Sequence, residues 1–274
     1  MLTGFKLLQS DDLADLLQFL NKEPARNVFF RSRIHDGVDE QSAPLWGWYE
    51  DGELRSALYV GPNLVPADLT DAAVEAFAHR LQEQGRTCAS IVGERRDVEA
   101  LWKLLNGHWP AARLIRTSQP YMVLEQKLQP TAPDVRSMTA ADLDSYVRAS
   151  AAMFTSEVDI DPSLLSGMGY RMRVQDTIRR GLAFGVTDAQ GITRFKTDVG
   201  CVTDDYCQIQ GVWVHPELRG LGLSRQWLAT AIALIQREWS PNVCLYVNDF
   251  NKPALALYRR LGFQPIAEYQ TIFF

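Results

Sequence analysis

The feature that most constrains this chain is an order of elements that repeats across one linker. Gln126-Lys-Leu-Gln-Pro-Thr-Ala-Pro-Asp134 holds two prolines, is otherwise mostly polar and has no apolar periodicity. It divides the 274 residues into domains expected at 1–129 and 134–274, each of ordinary domain size. Each half opens on an acidic helix start, Ser10-Asp-Asp-Leu in the first and Thr139-Ala-Ala-Asp in the second. A Ser or Thr cap with Asp in the first turn suits a helix N-terminus. Each half then has a hairpin. LWGWYE and LRSALYVG flank Asp51-Gly52; LAFGVTD and TRFKTDVG flank Ala189-Gln190-Gly191.

A middle helix follows, over 68–84 and 224–239, then a buried-looking strand, CASIV or VCLYV. A second helix (97–105, 252–261) ends near Gly107 or Gly262, and more strand closes each half, PYMVLE and YQTIFF. The chain is therefore expected to be a duplicated α/β unit, each copy a mixed, mostly antiparallel central sheet flanked by helices.

Composition excludes several classes. Apolar residues make up 46% and charged residues 22%, an ordinary globular balance. A net charge of −5 argues against a general nucleic-acid binder. The longest apolar run, near Leu228–Ile235, is far short of the ~20 residues a membrane span needs. MLTGFKLLQSDD has no apolar h-region, so no signal peptide and a cytoplasmic location are expected. The four cysteines (Cys88, Cys201, Cys207, Cys244) are scattered and read as free thiols. The histidines His35, His79, His108 and His215 lack metal-ligand spacing, so no metal site is expected.

Chemistry concentrates in the second half. The strand 208–214 leads through His215-Pro216-Glu217-Leu218 into Arg219-Gly220-Leu221-Gly222-Leu223-Ser224 and a long amphipathic helix. Glycines let backbone N–H groups approach a ligand, and a helix N-terminus favours anions. The arrangement reads as a pyrophosphate cradle. It misses the dinucleotide spacing, because Arg225 stands where the third Gly belongs. Taken alone, the loop also suits a plain strand-to-helix turn.

The next segment reads strand, Asn-containing loop, helix, Gly-Phe, strand. Arg219, Gly222 and Ser224 match the R/Q-x-x-G-x-G/A loop of the GNAT superfamily of acyl-CoA-dependent N-acyltransferases. Asn251, Ala254, Tyr258, Gly262 and Phe263 match that family's N-x-x-A-x-x-x-Y-x-x-x-G-F segment. The chain closely resembles this family; Ser224, where Gly or Ala is usual, is a small departure. MFTSEVDIDP, YRMRV, FKTDVG, GVWVHP and LYVNDFN, with LWGWYEDG, GPNLVP and ASIVG in the first half, resemble one bacterial family of two-domain GNAT proteins with an uncharacterised N-terminal domain.

The resemblance implies a fold of tandem GNAT-like domains and acetyl-CoA, or another acyl-CoA such as succinyl-CoA, as co-substrate. The backbone of Val212, Trp213 and Val214 would hold the pantetheine arm. Arg219 to Ser224, that is Arg219, Gly220, Leu221, Gly222, Leu223 and Ser224, would form the pyrophosphate loop, and Asn251 would support the cofactor. Tyr258 would protonate the leaving thiolate; its competing role is core packing. Candidates for the base are Glu157, ranked first, Asp198, expected to face solvent or a turn, and the carboxylate of Phe274. Arg171, Arg173, Arg179 and Arg180 would meet an acidic acceptor or the cofactor's 3′-phosphate, or form a solvated helix face. His215 reads as a turn residue.

In the first half, Gly61-Pro62-Asn63-Leu64-Val65-Pro66 takes the place of the glycine loop, its prolines lack N–H donors, and Trp102 stands for Tyr258. That half is expected to be degenerate, walling the acceptor cleft or mediating assembly. The expected activity is N-acylation of a primary amine on a small molecule or peptide. A CoA-ester sensor with little turnover is the alternative from another class. The tail after Phe263 is short for two strands, leaving a trimmed or a merged last hairpin open. An exposed strand edge there would permit a homodimer.

Overall fold

The structure, a computed structural model, describes residues 2–36, 43–158 and 162–274, the side chains of 157–158 and 162–166 excepted. In chain order the elements are β1 (Gly4–Leu8), α1 (Leu13–Leu20), α2 (Val28–His35), β2 (Leu45–Glu50), β3 (Glu53–Val60), β4 (Asn63–Ala67), α3 (Asp71–Gln84), β5 (Ser90–Glu94), α4 (Arg95–Leu105) and β6 (Leu114–Leu124). There follow β7 (Arg136–Ser137), α5 (Leu143–Val158), α6 (Pro162–Arg179), β8 (Ala183–Thr187), β9 (Thr193–Val202), β10 (Tyr206–Val214), α7 (Leu223–Glu238), β11 (Asn242–Tyr246), α8 (Lys252–Leu261) and β12 (Gln264–Phe273). By contacts, one compact unit comprises Met1–Met122, Tyr246–Lys252 and Pro265–Phe274; the other comprises Val123–Leu245 and Pro253–Gln264.

In the first unit the strand order is β1-β2-β3-β4-β5-β12-β6. The β2–β3 hairpin turns at Asp51 and Gly52, both with positive φ (53° and 86°), as a two-residue turn matched to strand twist demands. Ala73, Val74, Phe77, Ala78 and Leu81 form the apolar stripe of α3. They pack with Val98, Leu101 and Leu105 of α4 on Leu58, Leu64 and Ile91 of the sheet.

The C-terminal segment is a single ten-residue strand, not a hairpin. Its second half pairs antiparallel with β5, from Tyr269↔Glu94 to Phe273↔Ser90. Because β12 lies between β5 and β6, it offers no free edge, and the basis for a C-terminal homodimer falls away. The Phe274 ring packs against Trp102 and Trp109 of this unit.

In the second unit the order is β11-β10-β9-β8-β7, antiparallel except for β10–β11. Alternation along β9 sends successive side chains to opposite faces. Phe195 meets Trp227 of α7, while its neighbour Lys196 lies by Tyr146 of α5. The expected linker is strapped to α7: Thr131 and Ala132 donate their N–H groups to Thr230 Oγ1, and Leu128 donates to Gln236 Oε1.

The two units share a local device. Asp12 and Asp142 each close a capping box, with Gln9 and Thr139 respectively. Each carboxylate also accepts from a basic residue six positions upstream, Lys6 at 2.5 Å and Arg136 at 2.8 Å. The first cap is Gln9 rather than Ser10.

Candidate functional site

The sequence QIQGVWV is a strand interrupted by one glycine, a pattern that signals a bulge. In β10, Gly211 has φ +62° and the register against β9 shifts between Gln210 and Trp213. On its other side β10 pairs parallel with β11 only at Tyr206↔Asn242, Cys207↔Val243 and Gln208↔Cys244. The pairing stops there, although β10 runs on to Val214 and β11 to Tyr246. The strands part after Gln208, ahead of the Gly211 bulge, and Val212, Trp213 and Val214 lie beyond both.

The open end leads into the glycine loop. Gly220 and Gly222 have φ +79° and +78°, a region that a side chain strains, and a Cβ at either would stand in open space. Arg219 reaches back with Nε to the Val214 carbonyl oxygen at 3.1 Å, tying the loop to the end of β10. Gly222 is the N-cap of the sixteen-residue α7, and no side chain caps that end or puts an acid in its first turn. Uncapped N–H groups at the positive end of a helix suit an anion.

Asn251 directly precedes α8, in a turn where its N–H donates to the Asn248 carbonyl oxygen. Gln119 of β6 donates to Asn248 Oδ1 at 3.0 Å, and Asp249 N–H donates to the Ser118 carbonyl oxygen, so β6 backs this turn. By contacts Asn251 belongs to the first unit, whereas 212–214, 219–224 and Tyr258 belong to the second. Tyr258 is buried with Leu255 and Leu261 on one face of α8 and meets Phe263 edge-on at 5.7 Å. Glu157 falls in the last turn of α5, and its side chain lies outside the described residues.

Asp198 differs from expectation. It lies in β9, not at a turn, with 15% of its side chain exposed. Lys196 Nζ is 2.5 Å from Asp198 Oδ2, and Tyr146 donates its hydroxyl to Oδ1 at 2.5 Å. Lys196 is fully buried, over the Tyr146 ring at 5.0 Å. Burial, then the Asp198 charge, pushes the Tyr146 hydroxyl well above its ordinary pKa, so it remains a donor. Lys196 and Tyr146 were not singled out from sequence. The available signal was a lysine on the inward face of the alternating segment FKTDVG.

The family model described as FR47-like protein matches residues 193–272, and a domain of unknown function, DUF4081, matches 43–146. The mycothiol acetyltransferase of Acidothermus cellulolyticus is 24% identical over 259 residues, covering 83% of this chain and 79% of that protein. A putative ribosomal protein bS18-alanine N-acetyltransferase of Bacillus subtilis is 27% identical over 135 residues, covering 49% of this chain and 83% of that protein. With these matches, the chain resembles the GNAT superfamily. Two Clavibacter proteins, also named mycothiol acetyltransferases, are covered over 66% and 65% of their length. The solved structure of a tandem GNAT protein from the clavulanic acid biosynthesis pathway shares the fold, with a TM-score of 0.59 at 15% identity over 98% of both chains. The enzyme type is GNAT acetyltransferase.

The first unit repeats the parting of strands without the open corner. β4 pairs parallel with β5 only at Asn63↔Ser90 and Leu64↔Ile91. Gly61–Pro66 is not the counterpart of the glycine loop, because Asn63–Ala67 is itself the strand; the corner before α3 is 68–70. There Thr70 Oγ1 accepts from Ala73 N–H, and Asp97 Oδ2 accepts from Leu69 N–H at 3.2 Å.

Other candidates are accounted for locally. Arg171 pairs with Asp144 at 2.6 Å and Arg179 with Asp176 at 2.7 Å. His215 is the cap of the short turn Pro216–Leu218, edge-on to Trp213. All four cysteines are buried and none is in a disulfide, and burial pushes Cys207 up to about 12. Among the described residues, no His/Cys/Asp/Glu group could hold a metal, and no helix is long and apolar enough to cross a membrane.

Proposed function

We propose that this protein moves an acyl group from a coenzyme A thioester, acetyl-CoA by default, to a primary amine. One observation carries the reading: β10 parts from β11 after Gln208, passes through the Gly211 bulge and runs into an uncapped glycine corner of α7. The backbone of Val212, Trp213 and Val214 is suited to the amides of an extended pantetheine arm. The N–H groups of Gly220, Leu221, Gly222, Leu223 and Ser224 are suited to a pyrophosphate, with Arg219 bracing the loop and Asn251 supporting the ligand near α8. The thioester supplies an activated carbonyl and a sulfur leaving group. A β10 N–H steadies the oxyanion. Glu157 takes the first proton from the acceptor ammonium, and Tyr258 gives its proton to the departing sulfur.

The names of the relatives favour acetyl as the group moved, and an amine on a small molecule or a peptide as the acceptor. A CoA-ester sensor would keep Arg219, Gly222 and Asn251 without needing Tyr258, and relatives named for acetyl transfer do not favour it. Calorimetric titration with acetyl-CoA, succinyl-CoA and free CoA tests the reading. One site per chain is expected, with the preferred ester naming the donor. Two sites would assign a ligand to the first unit as well, and no binding would remove the protein from acyl transfer.

A further inference from the structure

The cluster on the α5 side of β9 takes no part in the roles assigned so far. A buried ion pair between two residues of one strand is a poor source of stability, since an apolar pair of like volume serves as well or better. Its position points to chemistry instead. A Cβ on Gly211 would stand 2.8 Å from Asp198 Oδ2 and 2.9 Å from Lys196 Nζ. The carboxylate therefore abuts the β10 bulge, the stretch that receives the thioester in the reading above, on which this inference rests.

Access narrows the assignment. Lys196 has no exposed side-chain surface and Tyr146 is 1% exposed, while Asp198 keeps 15%. Only the carboxylate can meet an incoming group. Each of its oxygens accepts more than one hydrogen bond, so the donors from Lys196 and Tyr146 leave capacity. Ser150, one turn along α5 from Tyr146, is buried, and its hydroxyl has no partner among the described residues. Met153, further along the same face, would come 3.4 Å from that Gly211 Cβ. This face of α5 stands over the bulge and keeps a polar group available for an acceptor.

We propose that Asp198 is a catalytic residue that takes the proton of the acceptor nitrogen as that nitrogen bonds to the thioester carbon, with Lys196 and Tyr146 as positioning residues. Starting from the neutral amine, the C–N bond forms and the C–S bond breaks. The N–H proton passes to Asp198, and the sulfur leaves with the Tyr258 proton. Asp198 returns its proton to water along its exposed edge, and Tyr258 regains one. A nitrogen bonding to a carbonyl carbon becomes strongly acidic, so a carboxylate suffices as its base.

The test measures thiol release from saturating acetyl-CoA with L-alaninamide, an alanine-terminated peptide and spermidine as acceptors. Asp198→Asn should lower kcat about 100-fold or more while leaving acetyl-CoA affinity within about twofold. Formate should restore part of the activity of Asp198→Ala, which a purely structural role would not permit. Tyr146→Phe and Lys196→Met should lower kcat about tenfold at nearly constant KM for acetyl-CoA, with Lys196→Arg recovering part of the loss. Asp198→Asn with wild-type kcat, or with acetyl-CoA affinity lost in step, would overturn the assignment. So would a Tyr146→Phe variant with unchanged kcat, should the Asp198 variants fail to fold. Wild-type protein that neither binds acetyl-CoA nor releases thiol with any of these amines would overturn the acyl-transfer reading itself, and this assignment with it.

Discussion

Asp97 Oδ2 accepts the backbone N–H of Leu69 at 3.2 Å, so a carboxylate of the chain itself fills the strand-to-helix corner of the first unit. The equivalent corner before α7 has only Gly222 as its cap. Asp97→Ala should lower stability by about 1–3 kcal/mol, because it leaves a buried N–H without its acceptor. Denaturant titration reads the loss. Acetyl-CoA should still bind at one site per chain, and a second site in the variant would show that Asp97 was blocking one.

Gly222 sits at φ +78°, where a β-branched residue costs on the order of 1–2 kcal/mol. Gly222→Val should abolish acetyl-CoA binding by calorimetry while the circular dichroism spectrum stays native. Normal binding would refute the glycine corner as the anion site.

Tyr258→Phe keeps the ring that packs on Phe263 and removes only the hydroxyl. Its kcat should fall about 100-fold or more with little change in acetyl-CoA affinity. An unchanged rate would leave Tyr258 as a packing residue.

Arg136 holds the Asp142 carboxyl down to about 2, with help from the Thr139 N–H and hydroxyl. The folded value lies below the unfolded one, so this stability is complete above about pH 4 and lost as pH falls through about 2. Its size is on the order of 1–2 kcal/mol, since the Arg136 side chain is 44% exposed and partly screened. Urea melts of the wild type at about pH 5 and pH 2.5 should differ more than those of Asp142→Asn.

Gly211 has both a positive φ and no room for a Cβ beside Asp198 and Lys196. Gly211→Ala should cost about 2 kcal/mol or more and lower turnover together with stability. A fully stable, fully active variant would show that the bulge adapts at no cost.

Much of the fold is legible from neighbours in the chain. The Asp51-Gly52 turn, the Asp142 cap, the α8 stripe of Leu255, Tyr258 and Leu261, and the glycines that end at Gly222 all rest on interactions within a few residues. Propensity, periodicity and backbone freedom act at that range, so residue order suffices. The rest depends on which distant segments meet. YQTIFF reads as strand wherever it goes, yet only the assembled sheet places it between β5 and β6. Tyr146 and Asp198 are 52 positions apart, and Leu69 and Asp97 are 28 apart. A carboxylate in a sequence does not say whether it will face water, a buried lysine or a backbone N–H. That choice follows from strand pairing and helix packing, which bring such groups together only when the core closes.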